Sequence, residues 1–138
     1  MAYWLFKEEP EHYSFDDLLR EGQTCWDGVS NALAQKNLAQ VRKGDRIFYY
    51  HTGTEKAIVG IMEAVSDAYH PAGESKLYVV DVRPGKKFAR PVTLAEIKAL
   101  PQCAAWELVR LPRLSVMPVP DSIWKLILQL AQKSGHEK

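Results

Sequence analysis

Tyr3-Trp4-Leu5-Phe6-Lys7-Glu8-Glu9-Pro10 sets four large apolar residues in a row and follows them at once with a lysine, two glutamates and a proline. The apolar run is short, aromatic and free of glycine, which reads as a buried strand. Pro10 has no N–H to give to a ladder, so the strand is expected to end there. Lys7, Glu8 and Glu9 then sit at its mouth, where core gives way to solvent. One reading makes this mouth a wall of a pocket that residues 26–31 and 113–116 complete. The simpler reading is an ordinary first strand with a solvated charged end, and these eight residues alone favour it.

The chain has 138 residues, 46% of them hydrophobic and 25% charged, which suits one soluble domain with a real core. A single domain over residues 1–138 is expected, with a polar tail from about residue 134. The formal net charge of +1 announces no global field for a polyanion, but leaves room for a local basic face. Cys25 and Cys103 are too few for a disulfide framework and lack metal-ligand spacing. His12, His51, His70 and His136 form no HxxxH or HExxH pattern. No apolar run approaches the ~20 residues that span a bilayer. No basic segment with a long apolar run opens the chain. The expectations are a cytoplasmic address and no membrane partner.

Along the chain, Ser14 and Asp17 predict a capped helix through Arg20, stopped by Gly22. Residues 23–27 read as a connection. Gly28 suggests a backbone turn, and Asn31 caps a second helix over Ala32–Val41. Arg46–His51 and Ala57–Val65 read as strands, the second carrying a Gly60 that suits a bulge. Residues 67–76, with Pro71 and Gly73, read as a loop. Leu77–Val82 is a third strand, Pro84-Gly85-Lys86-Lys87 a turn, and Phe88–Val92 a further short strand. Thr93 and Glu96 form a capping box for a helix over Leu94–Leu100, and a helical turn is expected within 104–109. Leu114–Met117 alternates like a last strand. Asp121 caps a final helix, Ser122–Lys133, with Ile123, Ile127 and Leu130 as its core stripe. Strands interrupted by short helices, without βαβα alternation, predict an α+β domain around a small, mostly antiparallel barrel.

No GxSxG, P-loop or dinucleotide fingerprint is present. Glu8 and Glu9 point to opposite faces of a strand and make no facing acid/base pair. His51 has no partner that the sequence can assign. An enzyme and a bound cofactor are therefore not expected. The binding chemistry is richer. Trp4, Trp26, Tyr49, Tyr50 and His51 offer flat faces. Ser30, Asn31, Thr52 and Ser115 offer short polar groups, and Lys7, Arg46, Lys56 and Arg113 positive charge. A nucleobase out of its stack wants these three things together, and each stacked base is worth ~1–3 kcal/mol. Trp26 stands in a polar, glycine-containing stretch, which leaves a stacking face and packing under its own loop both open.

Taken in order, 3–10, Trp26-Asp27-Gly28-Val29-Ser30-Asn31, Gly44-Asp45 with Phe48-Tyr49-Tyr50-His51, Ile58-Val59-Gly60-Ile61, Pro91-Val92-Thr93-Leu94 and 113–119 resemble the EVE domain family. The resemblance covers essentially the whole chain. It implies a PUA-like fold related to the YTH domain. It also implies a non-catalytic reader that binds a modified DNA or RNA nucleotide in a pocket. Carried over residue by residue, that pocket takes Trp4, Lys7 and Glu9 from the first strand, and Trp26, Gly28, Val29, Ser30 and Asn31 from the connection. Tyr50 and His51 come from a strand end, and Arg113, Leu114 and Ser115 from the late motif. A tryptophan in the matching connection of YTH relatives belongs to an aromatic cage, which favours Trp26 as the stacking face.

The chain departs from the family pattern at two places. Glu8 stands where the family usually has a serine, and Ser30 where it usually has an arginine. The first change brings a carboxylate that repels phosphate if it faces the ligand. The second removes a planar cation. They leave a second reading open, a small-molecule or protein-interaction module on the same fold.

Overall fold

The computed structural model describes residues 1–72 and 76–132. Gly73, His136, the expected helix end at Lys133 and the tail from residue 134 lie outside the described residues. Six strands form one sheet in the order β2-β5-β4-β3-β1-β6, curled into a half-barrel. They are β1 Tyr3–Glu8, β2 Thr24–Trp26, β3 Arg46–His51, β4 Ala57–Ala64, β5 Val80–Thr93 and β6 Val116–Pro118. Every pairing is antiparallel except β1 with β3, which run parallel.

Strand β1 has a neighbour on each edge and is covered on both faces, which explains its unbroken apolar run. Trp4, Leu5 and Phe6 are all buried. Successive side chains alternate between the faces. On one face Phe6 and its register partner Tyr49 meet Trp26. On the other, Trp124 stacks on Phe48 at 3.8 Å and on Tyr3 at 4.2 Å. Trp124 belongs to the last helix, Asp121–Gln132, whose Ile123 and Ile127 are buried beside it.

The shorter helices begin where their caps predict. Helix α1 (Phe15–Glu21) has the Ser14/Asp17 capping box and ends at Gly22 in the left-handed conformation. In α2 (Ala32–Leu38) the Asn31 side chain accepts from the Ala34 N–H, and the helix ends three residues before the expected Val41. Thr93 and Glu96 box the start of α3 (Leu94–Lys98). A single turn, α4 (Glu107–Arg110), precedes β6, and the last helix is α5.

Two further expectations are corrected. Residues 23–27 are not a plain connection, because Thr24–Trp26 pair with Val80–Val82 as an edge strand. Three residues are too few to show a period, and the partner lies far along the chain. Residues 84–87 are not a turn. Strand β5 runs unbroken through Pro84 and Gly85, and shifts in its register with β4 absorb the irregularity. Gly60 in β4 sits at one such shift. A Cβ there would lie 2.8 Å from the Phe15 ring and 2.9 Å from the Lys86 carbonyl oxygen, so a bare backbone is needed for α1 to pack.

Candidate functional site

The pleat of β1 sorts its charged end. Lys7 pairs in register with Tyr50 and Glu8 with His51, so the two adjacent residues face opposite sides of the sheet. The Lys7 N–H donates to the Ser115 carbonyl at 2.9 Å, which ties the late segment to this strand end.

On the Glu8 side lies a small pocket of about 140 Å³ lined by Glu8, His12, Tyr13, Thr24, Cys25, Trp26 and Asp27. Trp26 is only 5% exposed. Phe6 holds its ring at 5.4 Å in a tilted contact, and Tyr49 at 5.2 Å edge-on. The Glu8 carboxylate accepts from His12 Nδ1 at 2.7 Å and from the Glu9 N–H at 3.2 Å. That hydrogen bond, and then the Glu8 charge, raise the His12 pKa above the ordinary histidine value. Tyr13 donates its hydroxyl to Glu21 at 2.7 Å, and burial first, then this bond, pushes the phenol up to about 12. The wall is therefore rich in acceptors, beside a buried tryptophan.

On the Lys7 side lies a hollow of about 230 Å³ lined by Lys7, Tyr50, Thr52, Gly53, Lys56, Leu94, Lys98, Leu108 and Pro112. Lys7 Nζ donates to the Pro112 carbonyl at 2.8 Å and lies 5.4 Å from the Tyr50 ring centroid. Burial lowers its pKa below the usual lysine value. Pro112 is also a wall of a larger, more open cleft of about 330 Å³, with Asn31, Leu33, Arg110, Leu111, Arg113 and Leu114.

The thirteen residues named from the sequence are thus spread over three depressions, the core between them and the exposed surface. Trp26 lines the acidic pocket, Lys7 and Tyr50 the basic hollow, and Asn31, Arg113 and Leu114 the open cleft. Trp4 is buried at the opposite end of β1, where its indole N–H donates to Asp45 at 2.9 Å. His51 is buried with both ring nitrogens engaged. Nε2 accepts from the Phe15 N–H, which leaves Nδ1 to donate to Glu55. Glu9 is exposed, and its carbonyl accepts from the N–H groups of His12 and Tyr13. Gly28 takes the left-handed conformation, with φ of 77°, between buried Trp26 and Val29, whose carbonyl accepts from Gln35. Ser30 is exposed, and Ser115 meets β1 through its carbonyl. Arg46 stands at the far end of β3, paired with Tyr3.

Sequence reasoning missed His12 as a pocket wall, and Lys98 as a third cation of the hollow. The Glu8–His12 spacing of four was a usable signal. Lys98 gave none, because it comes from a helix more than 90 residues beyond Lys7. Among the described residues, no cluster of histidine, cysteine, aspartate and glutamate is arranged to hold a metal. No described helix is long and apolar enough to cross a membrane.

Comparison with known proteins matches residues 2–130 to the EVE domain. Thymocyte nuclear protein 1 of Rattus norvegicus is 30% identical over 94% of this chain and 74% of its own length. Among solved structures, Rpa0253 from Rhodopseudomonas palustris superposes with a TM-score of 0.90 at 38% identity, covering 100% of this chain and 99% of the other. Human THYN1 in complex with 5-methylcytosine containing DNA superposes with a TM-score of 0.88 at 28% identity, covering 97% and 99%. The chain belongs to the EVE domain family.

Proposed function

We propose that this EVE protein, read as one domain over residues 1–138, binds a modified nucleobase of DNA or RNA without turning it over. The observation that carries the reading is the pocket in which Trp26 stands beside the carboxylates of Glu8 and Asp27. At about 140 Å³ it is well below the ~300–1,000 Å³ of pockets for drug-sized ligands and suits a single ring system. A carboxylate is the acceptor that matches the exocyclic amine of cytosine. In this reading Trp26 gives the base its aromatic wall, and Glu8 and Asp27 take its amino edge. The Glu8 carboxylate, which replaces the usual serine, is thereby a reader of the base and no obstacle to phosphate. Gly28, Ser30 and Asn31 follow Asp27 in the chain without lining this pocket, and Asn31 caps α2 beside the open cleft. The methylcytosine DNA held by the human relative supports a cytosine-type ligand. The absence of turnover agrees with His51, whose two nitrogens are already committed.

A test is fluorescence anisotropy with matched oligonucleotides, single- and double-stranded, carrying 5-methylcytosine or cytosine. A buried methyl group is worth about 0.8 kcal/mol, so roughly fourfold tighter binding of the modified strand is expected. Equal affinity for both would refute selective reading. A second reading is favoured by the open cleft, where Leu33 is 44% exposed beside Leu111, Pro112 and Leu114. At about 330 Å³ it has the size and apolar lining for a small molecule. Salt-independent binding of apolar compounds there, with no oligonucleotide bound, is the outcome that would favour it.

A further inference from the structure

The basic hollow on the Lys7 face is built from segments far apart in the chain. Lys7 ends β1, Lys56 precedes β4, and Lys98 closes α3, yet all three line one cavity, and no carboxylate lines it with them. The acids beside Lys56 and Lys98 are engaged elsewhere. Glu55 accepts from His51, and Glu96 is bonded to Arg90 and Thr93. Among the described residues, neither Lys56 nor Lys98 belongs to an ion pair. Lys7 Nζ is held by the Pro112 carbonyl, and an anion bound in the hollow meets lysine side chains from three segments of the chain. The Thr52 hydroxyl adds a donor at the rim, and Gly53, at φ of 84°, leaves the rim bare of a side chain.

We propose that the Lys7–Lys56–Lys98 hollow is a phosphate site that holds the backbone of the nucleic-acid strand whose base enters the Trp26 pocket. This rests on the reading given under Proposed function for the base itself. The two contacts divide the work. Phosphate contacts fix position and carry no sequence information, whereas base contacts specify. Lysine binds phosphate as a point charge, and its contribution appears in the salt dependence of affinity.

The experiment compares three proteins: the unchanged chain, K56Q/K98Q, and K43Q/K125Q, which removes the same charge at two exposed lysines away from the hollow. Affinity for the methylated and unmethylated oligonucleotides is measured across a salt series. Each protein is also titrated with pyrophosphate and followed by amide NMR. In K56Q/K98Q both oligonucleotides should weaken by the same factor. The slope of log affinity against log salt should fall by about 0.7–0.9 for each phosphate that the variant no longer neutralises. K43Q/K125Q should keep the slope of the unchanged chain. An unaltered slope in K56Q/K98Q overturns the phosphate site and leaves the base reader standing, as does an equal fall in both double variants. If no oligonucleotide binds the unchanged chain, the base reading fails and pyrophosphate decides. Amide shifts at 52–56 and 94–98 that vanish in K56Q/K98Q support a free phosphate ligand in the hollow. No shifts there overturn the site.

Discussion

Lys7 and Glu8 are neighbours in the chain, yet they serve two pockets of opposite character. The Glu8 side holds a tryptophan and several acceptors in a space of about 140 Å³. The Lys7 side holds three lysines in a hollow of about 230 Å³. A single step along a pleated strand changes the face and, here, the sign of the charge. A charged run at a strand mouth is therefore best divided by parity before it is assigned to one site. Glu8 and Lys7 need not compete for the same ligand atom, and a carboxylate at this position is compatible with phosphate binding across the sheet.

The largest expected effect that bears on this contrast is at Trp26. It is packed against Phe6 and Tyr49, so Trp26→Ala should cost about 3–5 kcal/mol of stability as well as the aromatic wall. Urea unfolding measures this. A loss below ~1 kcal/mol would show that the ring is held less firmly than its burial implies. Next comes Gly60→Ala. The added methyl meets the Phe15 ring and the Lys86 carbonyl, which should cost about 1–3 kcal/mol and disturb α1 over the Glu8 side. The lysine hollow should keep its salt-dependent binding, and equal damage to both sides would show that they are not independent.

The smallest effect is a titration. His12 in the folded chain should titrate above the ordinary histidine value because Glu8 holds its proton. Its NMR midpoint should fall toward that value in Glu8→Gln. A group with a raised folded pKa stabilises in full below its unfolded value, and loses that contribution as pH rises through the folded one. The His12–Glu8 contribution therefore fades on the alkaline side of about 6.5. An unchanged midpoint in Glu8→Gln would remove Glu8 as the cause.

Much of the fold was legible because its signals are local. The Ser14/Asp17 and Thr93/Glu96 boxes, the bulge at Gly60 and the strands at Tyr3–Glu8 and Arg46–His51 all stand where residue types predict them. The edge strand at Thr24–Trp26 was not, since its pairing energy comes from Val80–Val82. Pro84 and Gly85 carry the mark of a turn, but pairing with β4 on both sides draws them into one strand. The site was the least legible part. Trp26 has the sequence setting of a loop aromatic and is a buried core ring that also lines a pocket. Trp4 carries an indole N–H whose need is met by Asp45, 41 residues away, a structural demand that looks the same in sequence as a stacking face. Convergence of Lys98 on Lys7 is a product of tertiary folding alone.

The most direct test of the two-sided site is an amide NMR shift map of the chain with a short single strand containing 5-methylcytosine, and with its unmethylated counterpart. Shifts common to both strands are expected at residues 52–56 and 94–98. Shifts that differ between the strands should be confined to residues 8–13 and 24–29. Methyl-dependent shifts at 31–33 and 110–114 instead, with residues 24–29 silent, would contradict the two-sided site by placing the base in the open cleft.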